Sequence, residues 1–296
     1  MRTVAFMALV AIVPIFGCAG GTAMPSAAPV PPTFGQPENL GPTINSSDFD
    51  GGPSVSADEL SLYFISDRPP SAGGDIWMAA RASASEPFAN SQRLGPEVNS
   101  PSSEGAPSIS ADGLELFFDR APEGHIFVST RASTSVSFRT AMPLSLGNAV
   151  CCDGFPAISA DGLELYFCSN RDGGSGGDDI WGAVRPTRSQ PFGPPMNLGP
   201  IVNSGAGDCE HSISQDGLEL FFASDRSGGS GGLDIWVTTR ANRSESFRKP
   251  TNLGPRFNTL FSDERPAISA DGMTLYFISN RPGGSGFFDL WEARRA

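Results

Sequence analysis

Five acidic residues recur at matched places in this 296-residue chain: Asp50, Glu104, Asp153, Asp208 and Asp263, each three residues before a proline or, once, a histidine. Carboxylates repeated at a fixed period can converge on one axis, where they would form a negatively charged mouth suited to a calcium ion or a polyhydroxylated ligand. The competing reading is local, because Asp side chains also accept backbone hydrogen bonds in turns. The chain has only two histidines, His125 and His211, and each breaks the repeat at its position. They join the five acids as candidate ligand-binding residues. A metal centre or a nucleophile–base arrangement needs more converging groups than two histidines supply. No catalytic residue is assigned and no cofactor is expected, calcium being the one ion the acids would suit.

The repeat carrying these residues reads PSVSADELSLYF at 53, PSISADGLELFF at 107, PAISADGLELYF at 156, HSISQDGLELFF at 211 and PAISADGMTLYF at 266. Each copy continues into Ser-Asp/Asn-Arg, a glycine-rich loop, Asp-Ile-Trp and a segment ending Leu-Gly, so the period is about fifty residues. A fixed period of this length points to a radial or stacked array. Each copy predicts four short strands. Ile-Ser is the innermost, Asp-Gly a two-residue hairpin turn, Leu-x-Leu-Phe/Tyr-Phe a second strand apolar on both faces, Asp-Ile-Trp the third, and the Leu-Gly segment the outermost. Four antiparallel strands repeated about an axis make a β-propeller, here with five blades.

The last copy stops after its third strand at Trp291 and the residues following. Its missing strand stands at the start, where Phe34 to Gly41 matches Phe192 to Gly199 and Phe247 to Gly254. The N-terminal strand is therefore expected to complete the last blade and close the ring. The acids and glycine loops fall at one end, here the entry end, where the chain enters the innermost strand. The Asp-Gly hairpins fall at the other, the turn end.

Pairs Arg68 with Asp75, Arg171 with Asp179, Arg226 with Asp234 and Arg281 with Asp289 bracket the glycine loops and read as clasps. Blade 2 departs from this pattern, with a short loop and His125-Ile126-Phe127 in place of Asp-Ile-Trp. Trp77, Trp181, Trp236 and Trp291 share one repeat position and read as blade-to-blade packing. The stretch GGSGGDDIW at 173 fits a calcium-binding nonapeptide, but that pattern works only in tandem, and here the period is about fifty.

The first seventeen residues have the form of a secretory signal, with Arg2 followed by a short apolar stretch from Val4 to Phe16. Ile15-Phe16-Gly17-Cys18 resembles the bacterial lipobox, which implies a diacylated Cys18. By that resemblance, Ala19 after the cysteine implies the outer membrane, with the protein facing the periplasm. Residues 18–32 read as a Pro/Ala-rich tether and 33–296 as the propeller. In an oxidising compartment, Cys209 can bridge to Cys152 or its neighbour Cys151, a vicinal Cys151–Cys152 bridge is the alternative, and Cys168 reads as a buried thiol.

The Pro-x-Ile-Ser-x-Asp-Gly, Ser-Asp/Asn-Arg and Asp-Ile-Trp elements resemble the TolB-type, WD-like propeller repeats of bacterial envelope proteins over nearly all of residues 33 to 295. That resemblance implies a binding or protein-interaction scaffold. TolB itself has six blades and an extra N-terminal domain, so its role does not carry over. A net charge of -12 excludes nucleic acid and an anionic membrane surface as direct partners, since neither finds clustered Lys and Arg. The expected picture is a monomer that meets the membrane through its lipid and binds an envelope protein or glycan. The rival is a glycoside hydrolase, as in five-bladed propellers with an acid and a base carboxylate in the axial funnel.

Overall fold

The computed structural model describes residues 33–71, 73–147 and 153–295. Twenty strands form five four-stranded antiparallel sheets, and these are the blades of a five-bladed β-propeller. The innermost strands are Asp50–Val55, Ser103–Ile109, Gly154–Ile158, Asp208–Ile213 and Asp263–Ile268. Four of the acids, Asp50, Glu104, Asp208 and Asp263, lie in the strand itself, and Asp153 directly precedes it.

The second strands are apolar on both faces because each is packed between two neighbours. Phe117 joins the layer shared with Leu165, Phe167 and Trp181 of blade 3, while Leu116 and Phe118 join the layer shared with Tyr63 and Ile76 of blade 1. Period-two alternation thus sends successive residues to opposite blade boundaries. Trp77, Trp181, Trp236 and Trp291 are buried in these inter-blade layers.

The ring closes as the repeat requires. Glu38–Asn39 is the outermost strand of the blade formed by Asp263–Ile268, Thr274–Ser279 and Asp289–Arg294, with Asn39 opposite Trp291 and Phe34 bridged to Arg295. The hairpin after each innermost strand is longer than the two residues expected. Ser159 and Glu164 pair across a four-residue loop in which Asp161 accepts from Ser159 Oγ and Leu163 N, and only Gly162 takes positive φ. The aspartate serves the turn through its side chain, so its own backbone need not be left-handed.

Candidate functional site

The five acids are buried, with 0 to 4% of their surface exposed. Each meets the arginine at the end of the second strand of its own blade or just after it. Arg68 reaches Asp50 at 2.6 Å, Arg120 reaches Glu104 at 2.8 Å, Arg171 reaches Asp153 at 2.6 Å, and Arg226 and Arg281 pair with Asp208 and Asp263. The carboxylates also accept from loop N–H groups, such as Ser100 to Glu104 at 3.0 Å and Thr259 to Asp263 at 2.6 Å. Each guanidinium lies between two rings, Phe167 and Trp181 in the case of Arg171.

This corrects the clasps expected from sequence. Asp179, Asp234 and Asp289 do not pair with Arg171, Arg226 and Arg281. They turn into the glycine loops and accept from the N–H of Ser175, Ser230 and Ser285 and from Nδ2 of Asn197, Asn252 and Asn39. Asp75 pairs with Arg93 at 2.6 Å. The hairpin brings the eighteen-residue partner closer than the one seven or eight residues away.

The two histidines are not brought together. His125 is exposed at the start of the third strand of blade 2, whereas His211 is buried on the innermost strand of blade 4. Cys209 is bonded to Cys168, across the boundary between blades 4 and 3, in place of the expected Cys152. The column of Cys168 is apolar in blades 1, 4 and 5, but it lies against the next blade's innermost strand, which is where Cys209 stands. Cys18, Cys151 and Cys152, like the signal and tether, lie outside the described residues. Among the described residues no three His, Cys, Asp or Glu side chains gather as a metal site.

The residues that do meet at the axis are others. Two positions after each acid the innermost strand bulges and adopts positive φ, at Gly52, Ala106, Phe155, Glu210 and Arg265. These residues line a cavity of about 30 Å³ on the axis. Arg265 Nε lies 3.3 Å from Glu210 Oε1, and its guanidinium sits 5.3 Å from the Phe49 ring and 5.1 Å from the Phe155 ring. Side chains from three blades therefore close around the guanidinium of a fourth. Glu264 stands against Glu210, and burial together with that neighbouring charge pushes its carboxyl up to about 7. Asp119, on the second strand of blade 2, is buried and accepts from Phe155 N at 2.8 Å; burial raises its pKa. Gly105 and Gly154 leave room for it, since a Cβ at either would press on its carboxylate.

No family model and no curated protein matches the chain. Among solved structures it is similar to a GH62 hydrolase crystallised with xylotriose, at 10% identity and TM-score 0.58 over 88% of this chain and 97% of that one. The catalytic domain of Coprinopsis cinerea GH62 alpha-L-arabinofuranosidase aligns at 13% identity and TM-score 0.57, over 90% and 98%. TolB from Acinetobacter baumannii aligns at 15% identity and TM-score 0.50, over 84% of this chain and 55% of its own, so this chain spans about half that TolB. At these identities the likeness is one of fold.

The asymmetric axial group was within reach of the sequence. Aligning the residue two after each acid sets Glu210 and Arg265 against Gly52, Ala106 and Phe155, and the column of Ile65, Cys168, Ala223 and Ile278 holds Asp119.

Proposed function

We propose that this protein is a non-enzymatic binding scaffold of the bacterial cell envelope, anchored to the outer membrane through a lipidated Cys18, facing the periplasm and acting as a monomer on another envelope protein. The observation that carries the reading is the fate of the axial carboxylates. The five repeat acids are consumed by five arginines inside their own blades, and the entry end of the axis is bridged by Arg265 and Glu210 between Phe49 and Phe155. Sugar-ring hydrolysis wants an open funnel with two separately placed carboxyl groups about 5 to 10 Å apart, whereas Glu210 is paired with Arg265 and Glu264 is partly buried beside Glu210. A ligand site of ordinary size also needs roughly 300 Å³ or more, and the cavity below the bridge holds a tenth of that.

The glycoside hydrolase reading draws on one specific observation. Glu264, pushed up to about 7 beside a second carboxyl, has the separated titration that acid–base pairs use. Two measurements decide between them. A photo-crosslinking residue at Leu260, 84% exposed at the entry end, should capture one defined envelope protein in cells, while the same residue at Val136 at the turn end should not. Release of nitrophenol from aryl arabinofuranosides or xylosides by the wild-type protein, lost in Glu264→Gln, would instead establish the hydrolase. Labelling with a fatty acid that persists in Cys18→Ser would remove the anchor.

A further inference from the structure

At the turn end the axis opens into a second cavity of about 90 Å³, walled by the innermost strands of all five blades. One repeat position in its wall is Pro53, Pro107, Pro156 and Pro266 in four blades and His211 in the fifth. No charged side chain lines it. The His211 imidazole is more than nine-tenths buried and packs edge-to-face with the Tyr166 ring, with the Tyr166 backbone nearby, yet neither Nδ1 nor Nε2 has a partner at ordinary hydrogen-bond geometry. A buried polar group of this kind calls for a partner.

The neighbouring wall supplies donors. Ser54, Ser108 and Ser212 Oγ accept the N–H of Ile109, Ile158 and Ile268 of the following blade, at 3.1, 3.1 and 3.2 Å. Each hydroxyl, having accepted that bond, keeps its proton free to donate. Blades 3 and 5 carry Ala157 and Ala267 at this position, so no serine hydroxyl is there to accept from the corresponding N–H groups of Ile213 and Val55. Three hydroxyls, two inner-strand N–H groups and one imidazole thus surround a small uncharged space. The carboxylate nearest in sequence, Glu210, lines the deeper cavity and is paired with Arg265.

From these hydroxyl, N–H and imidazole groups in a wall without charged side chains we propose that the turn-end funnel binds a small monovalent anion, a halide or a short carboxylate such as formate, over His211. A cation would find no carboxylate in the wall, and a volume of about 90 Å³ excludes a sugar ring or a peptide side chain of any size. The site lies at the opposite end from the entry face and does not rest on the scaffold reading.

Thermal melting of the full chain in sodium chloride, bromide and formate, against sodium gluconate at equal ionic strength, tests it. Wild-type protein should show a saturating rise of about 3 °C at 100 mM in the small anions only. His211→Pro, which restores the residue of the other four blades, should lose the rise, and Ser54→Ala with Ser108→Ala should reduce it. Bromide-soaked crystals should give an anomalous peak within 4 Å of the imidazole, on the order of an ion-to-nitrogen contact. Equal melting in all four salts, an undiminished rise in His211→Pro, or ordered water alone at the imidazole in bromide crystals would each overturn the proposal.

Discussion

Arg171 Nη2 donates to both oxygens of Asp153, at 2.6 and 2.7 Å, while its guanidinium lies 5.0 Å from the Phe167 ring and 5.4 Å from the Trp181 ring. The pair ties the loop entering blade 3 to the loop leaving its second strand, and four other blades repeat the arrangement. Removing one partner strands the other as a buried charge. Asp153→Ala should therefore cost about 3 to 5 kcal/mol in urea unfolding. Arg188→Ala, which breaks a pair with Asp112 left about one-third exposed on both sides, should cost under about 1 kcal/mol. Similar losses in the two variants would mean that the acid–arginine ring is not structural.

The blades and their closure were legible because they depend on repetition, and repetition is visible in one sequence: Phe34 to Gly41 announces the missing strand of the last blade as plainly as Phe247 to Gly254 shows what is missing. Pairings across space were not. Loop length, visible in sequence, points Arg171 to Asp179, eight residues on, while the hairpin that delivers Asp153 is not visible there. Register within a blade says nothing of what the next blade presents, so Cys168 reads as a thiol although Cys209 faces it. Repeat columns that keep their residue type do not point to Glu210 and Arg265, because the axial group is built in a column that does not keep it.

Glu264 and His211 should give opposing pH dependences. Glu264 titrates near 7 in the folded chain against an ordinary 4.5, so the unfolded chain ionises first and stability falls as pH climbs from 4.5 to 7. Burial pushes His211 down to about 4 from 6.5, so the unfolded chain takes up its proton first and stability falls as pH drops from 6.5 to 4. Each effect is on the order of 3 kcal/mol, and they oppose each other between about 4.5 and 6.5. Glu264→Gln should make the melting temperature rise with pH across this window, and His211→Gln should make it fall. Asp119, also raised by burial, acts in the same direction as Glu264 but is present in wild type and both variants, so the rise and the fall are each read as a difference from the wild-type profile. Parallel pH profiles for the two variants would refute the assignment.

The closing strand should behave as a latch. Phe34 is buried against Phe221 and Phe257 of blade 4, with ring centroids 6.1 and 5.8 Å away, although it belongs to the strand that completes blade 5. Gly35 N donates to Arg294 O at 2.7 Å and Leu40 N to Leu290 O at 3.1 Å, so the latch is sewn at both ends. Phe34→Ala should cost about 3 to 5 kcal/mol. Hydrogen exchange should report faster opening in Asp289–Arg294 than in the third strands of the other blades. Uniform acceleration around the ring would show that closure is not local to this blade.

The bond between Cys168 and Cys209 separates two predictions in one digest. Trypsin alone leaves Cys151, Cys152 and Cys168 on one peptide, 140–171, and a cut after Glu164 divides them. Without reduction, 165–171 should run linked to the peptide that begins at 189 and carries Cys209. Linkage of that peptide to 140–164 would restore the pairing with Cys152 or Cys151. The Cα atoms of Cys168 and Cys209 are 5.4 Å apart, within the range a bridge spans without backbone movement. Closing a loop over a sequence separation of 41 limits the unfolded chain enough to stabilise the fold by up to about 4 kcal/mol. Cys209→Ser should therefore lower the melting temperature in oxidising buffer by several degrees, and reductant should remove the difference from wild type. A wild-type protein whose melting temperature ignores reductant would show that the two cysteines contribute as packed thiols at the boundary between blades 3 and 4.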